Sequence, residues 1–298
     1  MRVDLAREQR TAWLFLAPAL GAIAIFFLLP VLAALILSFT DFDIYAIGDP
    51  STARFVGLGN YAALLREPLF WKALGNTAYF VVVGGPLTIA AALGAALLLN
   101  AKAAPLKGFF RTVYFAPVVT TMVAVATVWR YLYHPRFGFL NYLLGWFGLG
   151  PIDWLGDPRW AMPALILLGV WKNFGYSMVI FLAGLQTISP ALYEAARIDG
   201  ASGWQQFRHI TLPMLRPTFV FVALITVIGY FQLFAEPYVM TGGGGPANAT
   251  LSIALLMYKE GFRWWRMGYA AAIAFVLFGV ILAVSLLQLR LQRRKEAP

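Results

Sequence analysis

Two stretches place hydrogen-bonding side chains inside otherwise apolar runs. In "VWKNFGYSM", Lys172, Asn173 and Tyr176 occur together, the last two three residues apart and so on one helical face. In "TFVFVALITVIGYFQLF", Thr226 and Tyr230 are four apart, followed by Phe231 and Gln232, with Glu236 beyond. A third run places Thr120 and Thr121 just after Pro117. Amides and hydroxyls suit the hydroxyl groups of a sugar, and aromatic faces suit its C–H surface. The plainer role for any one of these residues is a hydrogen bond between helices. Lys172 is the sharpest case, because a mid-span ammonium is costly unless paired or hydrated. It would pair with Glu236 or face an anionic substrate.

Several other chemistries are excluded. Cysteine is absent, which removes disulfides, thiolate catalysis and Cys-ligated metals. His134 and His209 lie in different segments, so no His-based metal site is expected. No G-x-x-x-x-G-K-[ST], H-E-x-x-H or G-x-S-x-G pattern occurs, so the chain is expected to hold no nucleotide, metal or cofactor and not to be an enzyme by itself. "TGGGGPANAT" lacks the lysine of a phosphate cradle and reads instead as a flexible loop. Its "NAT" triplet is too short a match to carry weight.

The elements that must position these residues are membrane spans. Of 298 residues, 61% are hydrophobic and 12% charged, against about 25% charged in soluble domains. The all-α class follows, because helices satisfy their own backbone in lipid. Six apolar runs reach the roughly 20 residues a crossing needs, near 12–38, 73–99, 109–133, 160–185, 215–236 and 267–289. They form one transmembrane domain over 1–298. The first run exceeds a signal peptide's apolar core of about 7–15 residues and reads as retained. "VGGPLT" and "FAPVV" are expected to kink their spans. Thirteen Lys and Arg fall on the side of the termini and nine on the other, and Lys172 completes the 23. The positive-inside rule then places both termini in the cytoplasm. A net charge of +10 is accounted for in this way rather than by nucleic acid.

On the same side as the termini lies a polar interruption at about 189–213. Ser189 before Pro190 is a helix-start signal, and Gly200 suits a left-handed stop. Ser202 with Gln205 makes a capping box, so "GWQQFRHI" reads as a second short helix ending before Pro213. Trp204, Phe207 and Ile210 give it an apolar stripe. Such a hairpin packs beneath its own spans or inserts into a partner.

The stretch "EAARIDGASGWQQFRHITLP" resembles the EAA loop of ABC-importer permeases. "LFLAPAL", "SFTDF", "FVGLGNYAALLREPLFWKALGNTAYF", "FFRTVYFAPVV" and "GYAAAIAF" extend the likeness over almost the whole chain. They resemble the carbohydrate-uptake branch, of maltose and glycerol-3-phosphate permease type. The basic tail "LRLQRRKEAP" is similar to that of the first, maltose-F-like permease. Six spans without a large inserted external domain depart from the maltose prototype. The resemblance implies pairing with a second homologous permease, two ATP-binding cassette ATPase subunits that hold the Mg-ATP, and an extracytoplasmic solute-binding protein that delivers sugar. It implies ATPase coupling through Glu194, Ala195, Ala196, Asp199, Gly200, Ala201, Phe207, Leu212 and Pro213. It also implies a substrate pathway among the third to fifth spans, lined by Thr120, Thr121, Lys172, Asn173, Tyr176, Thr226, Tyr230, Phe231 and Gln232. A polyol or glycerol phosphate is the alternative cargo. An ion-coupled secondary carrier is the alternative class; it normally needs buried acids, and Glu236 is the one acid near a span interior.

Overall fold

The computed structural model describes residues 5–49, 52–101 and 106–293. Of the charges counted for orientation, Arg2, Asp4, Lys102, Arg294, Lys295 and Glu296 lie outside these residues, as does most of the basic tail beyond Arg293. Among the described residues the chain is helical, with one isolated bridge between Thr40 and Phe55. The principal helices are α1 (Gln9–Leu37), α2 (Pro68–Asn100), α3 (Lys107–Val119), α4 (Met122–Leu132), α5 (Pro158–Gln186), α6 (Pro190–Ile198), α7 (Gly203–Met214), α8 (Arg216–Phe231), α9 (Ala235–Met240) and α10 (Met267–Arg293). Four of these, α1, α2, α5 and α10, are long and apolar enough to cross a bilayer. Two bent pairs, α3 with α4 at 102° and α7 with α8 at 65°, bring the number to six when each pair is one span.

Two expected boundaries change. The run 109–133 is not one straight helix, because Thr120 and Thr121 are extended between α3 and α4. The run 215–236 stops at Phe231; Gln232 and Phe234 leave helical geometry, and the buried Ser252 hydroxyl donates to the Leu233 carbonyl released there. Glu236 therefore sits on the separate short helix α9.

Prolines explain much of the local shape. In three places a π turn ends two residues before a proline: Ala24–Leu28 before Pro30, Phe80–Gly84 before Pro86 and Phe207–Thr211 before Pro213. Widening the turn removes the clash of the ring with the preceding carbonyl and relocates the missing N–H bond. So "VGGPLT" lies within a continuous α2, whereas α3 ends two residues after Pro117.

The chain forms two compact units. One comprises the residues up to Glu67 and Met257–Val276. Within it Asn60 Nδ2 closes the end of α1, donating to the Ser38 and Thr40 carbonyls at 2.9 and 2.8 Å. The Arg54 backbone N–H, and then its guanidinium, holds the Asp41 carboxyl below the usual carboxylate range. Glu260 is buried and pairs with Arg266 at 3.0 Å. Burial pushes the Glu260 carboxyl up, and Arg266 opposes that shift.

The other unit comprises Pro68–Leu256 and the chain from Leu277. Its core packs Met178, Phe181, Leu182 and Leu185 of α5 against Ala92, Ala96 and Leu99 of α2, with Leu215 and Val222. Lipid offers helices no hydrophobic gain on association, so close packing through small residues must supply it. A Cβ on Gly175 of α5 would strike the Tyr114 carbonyl of α3, and one on Gly169 would lie 2.9 Å from the Phe80 ring. The glycine-rich loop belongs to this unit and is not free. Gly242, Gly243, Gly244 and Gly245 all have positive φ, which lets the chain double back. Lys72 Nζ then donates to the Ala247 carbonyl at 2.6 Å, and Asn76 Nδ2 to the Asn248 and Leu251 carbonyls at 2.9 Å each.

We expect Gly175→Leu to cost about 2 kcal/mol by overpacking and to lower the melting temperature of the detergent-solubilised chain. Gly94→Leu, where no atom lies within 4 Å of the added Cβ, should shift stability by at most about 0.5 kcal/mol.

Candidate functional site

The polar hairpin is built largely as its capping residues require. Ser189 has an extended backbone and Pro190 opens α6, but the Ser189 hydroxyl makes no capping bond, so proline alone sets that start. Gly200 takes φ +77 and ends the helix. Ser202 and Gln205 form the reciprocal capping box at the start of α7. The helix does not stop before Pro213 as expected. The π turn carries it through to Met214, with Pro213 in a first-turn position where its missing N–H is tolerated. The hairpin has two faces. Tyr193 and Ile210 pack on the core, and the Tyr193 hydroxyl bonds Thr211 Oγ1 at 2.9 Å. Glu194, Ala195, Asp199, Gly200, Leu212 and Pro213 are exposed, while Ala196, Ala201 and Phe207 are half-buried. Ile198 is 87% and Trp204 68% exposed, an apolar display that the described residues leave uncovered.

The hairpin joins α5 to α8, and the same two helices line a cavity of about 420 Å³, within the range usual for small-molecule sites. Asn173, Tyr176 and Ser177 enter it from α5, and Thr226 and Tyr230 from α8. Thr88, Gln232 and Glu236 complete its polar lining; Phe80, Val118 and Phe234 are among its apolar walls. Buried Tyr230 shares a 2.5 Å hydrogen bond with Thr88 Oγ1, and its ring lies tilted at 53° to that of Phe80, with centroids 4.8 Å apart. Asn173 Nδ2 donates to the Gly169 carbonyl at 2.9 Å, which orients the amide. Tyr176 and Gln232 are exposed at the mouth. The site is therefore a set of fixed amide and hydroxyl groups between aromatic rings, with one carboxylate.

Residues 84–297 match the family described as the binding-protein-dependent transport system inner membrane component. The chain belongs to this family. It is a multi-pass inner-membrane permease, in keeping with its apolar helices. It is 39% identical to the lactose transport system permease protein LacF of Rhizobium radiobacter, over 95% of this chain and 94% of that protein. The arabinooligosaccharides transport system permease protein AraP of Bacillus subtilis is 36% identical, over 97% and 90% of the respective chains. A crystal structure of a bacterial ABC transporter involved in the import of the acidic polysaccharide alginate matches with a TM-score of 0.77 at 25% identity, covering 98% of this chain and 99% of that one.

Of the residues expected to line a pathway, the permease brings together Asn173, Tyr176, Thr226, Tyr230 and Gln232. Four fall elsewhere. Phe231 is buried and does not line the cavity. Thr120 turns its hydroxyl back to the Pro117 carbonyl at 2.6 Å, and Thr121 is exposed outside the cavity. Lys172 donates to the Pro117 and Thr120 carbonyls, both at 3.0 Å. The two ion pairs among the described residues do not include it. So Lys172 makes no ion pair with Glu236 and does not line this cavity; it satisfies the carbonyls freed at the break after α3, where the helix dipole also favours a cation. Thr88 and Ser177 were missed because single hydroxyls in a small-residue run carry no periodic signal.

Lys172→Met should leave those carbonyls without their donor and cost the permease about 1–3 kcal/mol. Lys172→Arg, which keeps a donor fork, should recover part of that, both read as thermal stability in detergent.

Proposed function

We propose that this permease forms half of the translocation pathway of a sugar importer. A second homologous permease supplies the other half, a solute-binding protein delivers a mono-, di- or oligosaccharide, and ATP hydrolysis takes place in two ATPase subunits docked on the hairpin. The observation that carries this reading is the cavity of oriented amides, hydroxyls and aromatic rings hung on the two helices that flank the hairpin. The names of the relatives support the substrate class: LacF and AraP are permeases for lactose and arabinooligosaccharides.

The hairpin's open face supports the docking role. Glu194, Asp199 and Gly200 present a surface from which the core-packed residues Tyr193 and Ile210 lead directly back to α5 and α8. A push on α6 and α7 would move the two cavity-lining helices as a unit, exchanging inward- and outward-facing states.

Alanine at Asn173, Tyr176 and Tyr230 together should reduce sugar uptake by at least about tenfold, since each lost hydrogen bond or ring contact is worth roughly 1 kcal/mol, while leaving the assembled complex intact. Retained uptake would remove the cavity from the pathway. An added Cβ at Gly200 meets nothing within 4 Å of this chain. Loss of ATPase stimulation in Gly200→Trp, with Gly200→Asn tolerated because Asn accepts positive φ, is the expected outcome. Unchanged stimulation in Gly200→Trp would place the ATPase elsewhere.

A further inference from the structure

We infer that Glu236 sets the charge selectivity of the cavity, admitting uncharged polyhydroxylated ligands and turning away anionic ones. The inference rests on the sugar reading of the same cavity and deepens it by naming the class of sugar.

Glu236 is the one residue among those lining the cavity that carries a formal charge. The other polar groups there are amides and hydroxyls, which carry no net charge. The cation that would reverse the sign is Lys172, whose field reaches Glu236. Lys172 is occupied, however: its ammonium donates to the Pro117 and Thr120 carbonyls at 3.0 Å each, and it does not line the cavity. Removing it from that post would strip the broken helix of its donor. The cavity thus keeps at its wall a carboxyl with no ion-pair partner within 4 Å among the described residues; burial pushes that carboxyl up, and its own backbone N–H and the field of Lys172 oppose the shift.

Two consequences follow from elementary electrostatics. A carboxylate accepts sugar hydroxyls in charge-assisted hydrogen bonds, about twice as strong as neutral ones. It repels a phosphate, sulfonate or uronate, and does so strongly in a site walled by Phe80, Val118 and Phe234, where the dielectric is low. The fold itself does not decide this, because a transporter of similar fold is involved in the import of an acidic polysaccharide. The choice must lie in side chains, and position 236 is where this chain places its charge. On this inference glycerol phosphate, attractive when Lys172 is imagined facing the cavity, would be turned away.

The chain has no cysteine, which permits a direct reading of the field. A single Ala235→Cys change puts a thiol on the cavity wall beside Glu236. The assembled transporter in nanodiscs is treated with a cationic (trimethylammonium) or an anionic (sulfonate) ethyl methanethiosulfonate, and labelling of this chain is followed by mass spectrometry. After division by each reagent's rate with a free thiol, whose thiolate already favours the cation, the cationic reagent should react faster by about tenfold or more. Adding Glu236→Gln should bring the ratio close to one, and Glu236→Asp should preserve it, which separates charge from misfolding. An unchanged ratio in Glu236→Gln overturns the inference. In a second arm, lactose should slow labelling and digalacturonate should not, until Glu236→Gln lets the anion protect as well. Protection by digalacturonate equal to that by lactose with Glu236 intact also overturns it. If neither saccharide protects while the reagent ratio still follows Glu236, the charge selectivity stands and the sugar reading fails.

Discussion

A backbone carbonyl in hydrocarbon has no water to turn to, so a helix that breaks there must bring its own donor. In this permease the break after α3 meets that requirement with Lys172, reaching across from α5 to two carbonyls at 3.0 Å each. Much else depends on this one arrangement. It holds a 102° bend between α3 and α4. It ties both to α5, where Gly175 allows α3 to approach to backbone contact. It also keeps the Lys172 ammonium off the cavity wall, where Glu236 is the one ionisable acid or base of the lining.

Cavity and hairpin share their supports. α5 carries Asn173 and Tyr176 and runs on to the hairpin; α8 leaves the hairpin and carries Thr226 and Tyr230. Between them the core residues Phe181, Leu185, Leu215 and Val222 are buried with Tyr193 and Ile210 of the hairpin packed against them. The capping box and the positive φ of Gly200 stiffen the turn itself. A rigid turn joined to a packed core moves its helices rather than bending, which is the mechanical property a coupling element needs.

Prolines have different outcomes in similar sequence settings. At Pro86 and Pro213 a preceding π turn absorbs the ring and the helix continues, but at Pro117 the helix ends. The difference follows from what surrounds them. Near Pro117 a lysine from another helix is available to satisfy the freed carbonyls, so a break is stable there. The glycine-rich loop shows the same dependence: its composition suggests freedom, yet Lys72 and Asn76 on α2 hold its carbonyls in place.

Local signals were legible in the chain alone. Long apolar runs implied helical spans, because only helices satisfy their backbone in lipid; Ser202, Gln205 and Gly200 marked the hairpin, because caps act over three or four residues; and spacing put Asn173 with Tyr176 and Thr226 with Tyr230 on common faces. The stretch from Glu194 to Pro213 was enough to suggest the family. Tertiary structure decided which of those polar residues meet. It sent Lys172, Thr120 and Phe231 away from the cavity and brought in Thr88, Ser177 and Glu236. Those choices depend on contacts between helices far apart in sequence, the Lys172 bonds spanning more than fifty residues, and no periodicity within one helix encodes where another helix will break.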